Sequence, residues 1–230
     1  MRILTVRRGF LADHSSTSYE FLAVDKPLDA KARAAVSRLS RRVRPTARRA
    51  SFVYHGDGYD IPGGWEPLML KHYDVMYSES YDWWTLAVAF DTADKELVSR
   101  LKLYAFEGVD SLGVSIRRRK KRVVVTINCR LHADMLAPND FGERYDEYDE
   151  DDGDEKRNDS ATDDHLLGLL TRVRACLMKG QLDPLYAVWE AYGADDEDEE
   201  QEATEAPPRP RRTKTGAAVA EELAELLERA

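Results

Sequence analysis

Apolar positions along the chain fall into short clusters whose spacing switches between the period of a strand and that of a helix. Residues 3–6 predict a short edge strand and residues 19–24 a stronger one, with a polar loop over 7–17 between them. Asp29 is a natural N-cap, and Ala32, Ala35, Val36, Leu39 and Val43 then recur at helical spacing until Pro45 stops the helix. Residues 51–54 predict a strand, and the glycines at 56, 58, 63 and 64 predict turns. Trp65, Leu68, Met69, His72, Tyr73 and Met76 share one helical face, with Pro67 in the first turn where proline is tolerated. Residues 84–90 form the clearest strand, and residues 94–104 suit a short helix with Leu97, Val98, Leu101 and Tyr104 on one side. Two β-branched runs, 113–116 and 123–129, predict a hairpin whose connection is the charged run 117–122.

This order, with no strict strand-helix-strand repeat, predicts an α+β fold: a mixed or antiparallel sheet packed with helices, a ferredoxin-like arrangement among its options, over residues 1–139. Residues 163–194 predict a helical hairpin packing on that core. Leu166, Leu167, Leu170, Val173 and Leu177 face inward on its first helix, and Gly180 falls where a C-terminal cap belongs. Asp183 and Pro184 open the second helix, whose stripe is Leu185, Val188, Trp189 and Tyr192. Residues 195–215 form an acidic, proline-containing linker, and residues 216–230 an amphipathic helix with Val219, Leu223, Leu226 and Leu227 on one face. A helix of that length is marginal alone in water, so it is expected to dock on something.

The net charge of −9 conceals segregation: residues 1–139 carry +7, residues 140–164 carry −10 and residues 195–206 carry −8. Blocks of like charge bury little apolar surface, so residues 140–162 are expected to be an acidic disordered insert, and 195–205 are expected to behave likewise. No run reaches the roughly 18 apolar residues of a membrane span, and the first residues lack the apolar stretch of a signal peptide. A cytoplasmic protein with no membrane association is the expectation. Two cysteines, Cys129 and Cys176, cannot supply a disulfide framework or a four-thiolate metal site.

Chemistry-bearing residue types are present without a recognised catalytic pattern. Asp13, His14, Ser15 and Ser16, and separately His55, Asp57, Asp60 and His72, are of types that hydrolases and metal sites use. No nucleophile elbow, zinc-protease helix or phosphate-cradling loop accompanies them, so an enzyme is the remote alternative and no cofactor or metal is expected.

Binding signals are stronger. Arg117, Arg118, Arg119, Lys120, Lys121 and Arg122, with Arg41, Arg42, Arg44, Arg48 and Arg49, could track a phosphate backbone, although no RNA- or DNA-binding motif accompanies them. The plainer view of this run is a solvated hairpin tip. Five aromatics crowd residues 73–84 and read first as core material, but because Trp84 starts a strand, Trp83 must point to its opposite face and is the one to suspect of standing partly exposed.

The segment YEFLAVDKPL at residues 19–28, followed by a helix and the strand at 49–54, resembles a family of uncharacterised bacterial proteins that begin with YEFLAxDxPL. GQLDPLYAVW at residues 180–189 is similar to a GDLRxLYLAW helix of the same family. RGFLADHSSTS at residues 8–18 resembles a serine-rich motif found at the N-terminus of otherwise different bacterial and phage proteins, from whose Asn-rich form Asp13 and His14 depart. The resemblance implies a bacterial cytosolic domain and supplies no chemistry.

The functional expectation is a non-enzymatic accessory or adaptor subunit that contacts another protein through Trp83, Val219, Leu223, Leu226 and Leu227. Its alternative is an RNA- or DNA-binding module that uses the basic hairpin.

Overall fold

The computed structural model describes residues 16–55, 60–80, 83–132, 165–194 and 205–228. The edge strand expected at residues 3–6, both acidic stretches but for Glu205, and Asp13, His14, Ser15 and Asp57 lie outside them.

The fold is α+β. Among the described residues, seven antiparallel strands form one sheet: β1 (Ser16–Leu22), β2 (Arg49–His55), β3 (Val75–Ser80), β4 (Trp83–Asp91), β5 (Phe106–Glu107), β6 (Gly113–Arg119) and β7 (Arg122–Cys129), in the order β2-β1-β3-β4-β7-β6-β5. The helices are α1 (Ala30–Ser37), α2 (Glu66–Lys71), α3 (Lys95–Lys102), α4 (His165–Met178), α5 (Asp183–Tyr192) and α6 (Lys214–Leu226). Because β7 is antiparallel to both β4 and β6, those two run parallel with β7 between them. The course β4-α3-β6-β7-α4 is therefore a ferredoxin-like split unit with both helices on one face, while β3, which precedes it in the chain, holds the place of its fourth strand.

Period-2 alternation divides the apolar residues between two cores. On the first face Leu22, Val75, Tyr77, Leu86, Val88, Val125 and Ile127 pack under α3, α4, α5 and α6. On the second face Phe21, Phe52, Met76, Ala87, Ala89 and Val124 pack with Val36 of α1 and Leu68 and Met69 of α2. Each fully buried Leu, Val or Phe stabilises the fold by about 1.5–3 kcal/mol.

Several boundaries differ from the sequence expectation, each for a local reason. The second predicted helix ends at Lys71, and Met76 belongs to β3. Val75 and Tyr77 are buried on one face and Met76 on the other, so this strand shows no polar alternation and its apolar run imitates a helical stripe. Helix α1 stops at Ser37, where the Ser40 hydroxyl accepts from Arg42 N at 3.3 Å in a local turn, and Val43 reaches the second core from a loop. The basic run is not a wholly charged connection: Arg117, Arg118 and Arg119 extend β6, Arg122 begins β7, and only Lys120 and Lys121 turn. β1 begins at Ser16, inside the expected loop, and the two-residue β5 was not foreseen.

Other signals match their geometry. Asp29 accepts from Ala32 N at 2.7 Å, Asp94 caps α3 through Glu96 N and Leu97 N, and Gly180 takes φ +71° beyond α4 while Gln181 N closes onto Cys176 O at 3.0 Å.

Candidate functional site

The five residues proposed from sequence as a partner surface separate into two places. Val219, Leu223, Leu226 and Leu227 are all buried, on the chain's own core. Helix α6 lies against α4 and α5, Leu131 forms a β-bridge with Leu227, and the Glu228 amide donates to Arg130 O at 3.0 Å. The apolar face of α6 is thus occupied in cis, one of the dockings the sequence left open, and the partner contact named for these four residues is corrected to packing on the chain's own core. The physical cause is the exposed seam α4 and α5 would otherwise leave: their inward faces need a third helix to exclude water.

Trp83 is different. It stands 38% exposed, whereas Trp84, one residue on, faces the first core. In the β4–β7 register Trp84 pairs with Cys129, so Trp83 falls opposite Arg130, whose guanidinium carbon lies 4.8 Å from the indole centroid. Arg130 is positioned from both sides. Its backbone N–H donates to Tyr192 Oη at 3.1 Å, its carbonyl accepts from the same hydroxyl at 2.9 Å, and its Nη2 pairs with Asp110 at 3.1 Å. Asp110 itself sits in the left-handed region at φ 55°, followed by Ser111 at 63°, a strained pair of non-glycine residues beside this aromatic-cation stack.

Around Trp83 no described residue covers the second face of the sheet. Helix α2 reaches as far as Val124, and beyond it the face carries Thr85, Thr126 and Asn128, half-buried, with Ser115 and Arg117 exposed. Together with Trp65, Glu66 and Leu70 of the α2 segment these residues line a hollow of about 210 Å³. Thr85 Oγ1 donates to Asn128 Oδ1 at 3.4 Å, and Arg117 spans the rim to Glu66 at 3.1 Å. The surface is polar, with one exposed indole.

The eleven cations proposed for nucleic acid also divide. Arg122, only 16% exposed, donates to Met69 O, Tyr73 O and Asp74 Oδ1, so it ties β7 to the α2 layer. Arg48 donates to Ala23 O and Val24 O, and Arg49 starts β2 opposite Leu22. Neither Arg48 nor Arg122 projects as a free cation. Arg117, Arg118, Arg119, Lys120 and Lys121 are exposed at the β6–β7 tip, and Arg41, Arg42 and Arg44 are exposed in the loop before β2. Both groups sit at the same end of the sheet, five strand spacings or about 24 Å apart.

The residues of hydrolase and metal type form no shared centre among those described. Asp60 Oδ1 accepts from Tyr19 Oη at 2.7 Å, and burial followed by that bond pushes the Tyr19 phenol well up. His72 caps the C-terminus of α2, where desolvation, then Lys71, lowers its pKa. Burial pushes both cysteine thiols up, the opposite of an activated nucleophile. No group of three or more His, Cys, Asp or Glu among the described residues could hold a metal ion, and none of the described helices is long and apolar enough to cross a membrane.

A feature the sequence did not reveal is the ion network between the two layers. Asp74, 5% exposed, accepts from the amides of Val24 and Asp25 and from Arg122; Arg174, 4% exposed, donates to Ala89 O at 2.7 Å and to Asp25. Arg174 lies mid-helix in α4 at the spacing of the inward stripe, four residues after Leu170 and three before Leu177, but its charge alone reads as a surface residue.

No family model matches the sequence, and comparison with curated proteins gives no match. Among solved structures the chain is similar to the ligand-free regulatory subunit of aspartate kinase from Thermus thermophilus, at 13% identity over 49% of this chain and 82% of that one, with a TM-score of 0.21. A TM-score that low leaves both fold and function to the geometry above.

Proposed function

We propose that this chain is a non-enzymatic adaptor that binds another protein through the open half of its second sheet face. The observation behind this is the Trp83–Arg130 pair: an exposed indole, stacked by an arginine that is itself fixed by Tyr192 and Asp110, on an otherwise polar face that no described residue covers. Tryptophan and arginine dominate interface hot spots because each contributes large contact area and directed hydrogen bonds, and a pre-ordered pair loses little entropy on binding. Thr85, Ser115, Thr126 and Asn128 would then form a polar surround.

The test is a tagged pull-down from the cells that encode the protein, at about 150 mM salt and with nuclease, comparing the native chain with Trp83→Ala and Arg130→Ala. The expected result is a nuclease-resistant protein partner lost in both variants. Retention of that partner by both would remove this face from consideration.

A second reading is favoured by the five exposed cations of the β6–β7 tip: binding of RNA or DNA, which predicts nuclease-sensitive material, steep salt dependence, and loss on neutralising Arg117, Arg118, Arg119, Lys120 and Lys121 while Trp83→Ala has little effect.

A further inference from the structure

Among the described residues, no strand covers most of the outer edge of β6. β5 pairs with only Gly113 and Val114, so Ser115 to Arg119 continue as an edge strand with no described strand outside them. The two-residue turn at Lys120 and Lys121 makes Arg119 and Arg122 a hydrogen-bonded pair, because the residues flanking such a turn exchange both backbone bonds. Alternation then directs the backbone groups of Ser115 and Arg117 toward β7 and those of Ile116 and Arg118 outward. This phase agrees with Leu112, just ahead of the strand, whose carbonyl accepts from Gly108 N at 2.7 Å on the outer side.

Side chains along the same edge alternate between faces: Arg117, 67% exposed, and Arg119 share the face that carries Thr126, while Arg118 stands on the other. Every residue from 117 to 121 is cationic and exposed, with Glu66 the acidic partner of Arg117. Charge at an edge discourages pairing with a second copy, since arginine would face arginine. The same charge favours an acidic strand.

We propose that this edge accepts an acidic, extended segment of the protein partner as an added strand, with backbone pairing at Ile116 and Arg118 and alternate carboxylates meeting Arg117 and Arg119 on one face. This rests on the adaptor reading and gives the chemistry of the partner's docking segment.

The probes are a fluorescein-labelled heptapeptide of alternating Glu and Val and a ten-nucleotide oligouridylate, titrated into the full chain by fluorescence anisotropy. Arg118→Gln removes one charge and keeps the outward N–H; Arg118→Pro removes both, and an edge position whose N–H serves no internal bond tolerates proline. Arg118→Pro is expected to bind the peptide roughly tenfold more weakly than Arg118→Gln, the loss of one backbone hydrogen bond and its unpaired acceptor, with a similar unfolding midpoint.

Should Arg118→Pro prove unstable, Arg117→Glu with Arg119→Glu decides instead, by switching preference to a heptapeptide of alternating Lys and Val; no switch overturns the proposal. Equal binding by Arg118→Gln and Arg118→Pro, or no peptide binding by the native chain, also overturns it. Binding that appears only when residues 140–162 are replaced by a Gly-Ser linker assigns the edge to the chain's own acidic segment and removes the partner from it. Tighter oligouridylate binding that survives Arg118→Pro assigns the tip to nucleic acid. If Arg118→Pro still retains the pull-down partner that Trp83→Ala loses, the adaptor reading stands and the edge proposal falls.

Discussion

Asp74 receives Arg122 Nη2 at 2.8 Å on the same carboxylate oxygen that lies 3.8 Å from Arg174 Nη2, so one buried carboxylate joins an arginine from the sheet to an arginine from the helix layer. Its other oxygen holds the amides of Val24 and Asp25, fixing the chain as it leaves β1.

Removing that charge is expected to destabilise strongly. Asp74→Asn leaves two largely buried guanidinium groups with less compensation and should cost about 3 kcal/mol or more, read as a fall in the urea midpoint. Because Asp74 and Arg122 share the interaction, Asp74→Asn combined with Arg122→Gln should cost less than the sum of the single changes.

Helix α6 is expected to behave as core. Leu223 is fully buried, so Leu223→Ala should cost about 2–5 kcal/mol in chemical denaturation, depending on how far α4 and α5 collapse into the space. Trp83→Ala should cost about 1 kcal/mol or less, since it loses an exposed cation-π contact, and should act on partner binding instead. A large stability loss in Trp83→Ala, read in the same urea titration, would count against its role as a surface residue.

Gly216 sets two effects against each other. In an open helix Gly→Ala stabilises by about 1 kcal/mol. Here an added Cβ would lie 2.5 Å from Asp183 Oδ2, on a buried carboxylate with little room to yield. Gly216→Ala is therefore expected to lower the unfolding midpoint, and a rise would show that Asp183 moves freely.

His72 gives the pH dependence. Desolvation, then Lys71, lowers its pKa below the ordinary 6.5, with Asp29 opposing. The unfolded chain therefore takes up this proton at higher pH than the folded one. Its contribution is complete above pH 6.5 and declines as pH falls from there through the folded value. His72→Gln should flatten that part of the profile, checked by urea midpoints between about pH 8 and pH 5.

Local chemistry was legible where one residue decides it: Asp29 as a cap, Gly180 as a stop, Trp83 as the member of its pair to suspect of exposure. What was hidden depended on tertiary context. β3 escaped because burial on both faces erases alternation, and Arg122 looked like one more surface cation because its partners Met69, Tyr73 and Asp74 come from a distant loop and helix. The apolar stripe of α6 was plain in the sequence; its destination was not, because Leu131, the residue it bridges, lies 96 positions upstream.

That bridge has a consequence for synthesis. The sheet through β7 and the hairpin of α4 and α5 leave the ribosome with an apolar seam still uncovered, and only when Leu223, Leu226 and Leu227 emerge can it close. A nascent or truncated chain lacking residues 214–228 would present that seam to chaperones and proteases, so cellular abundance should track how promptly this one helix docks.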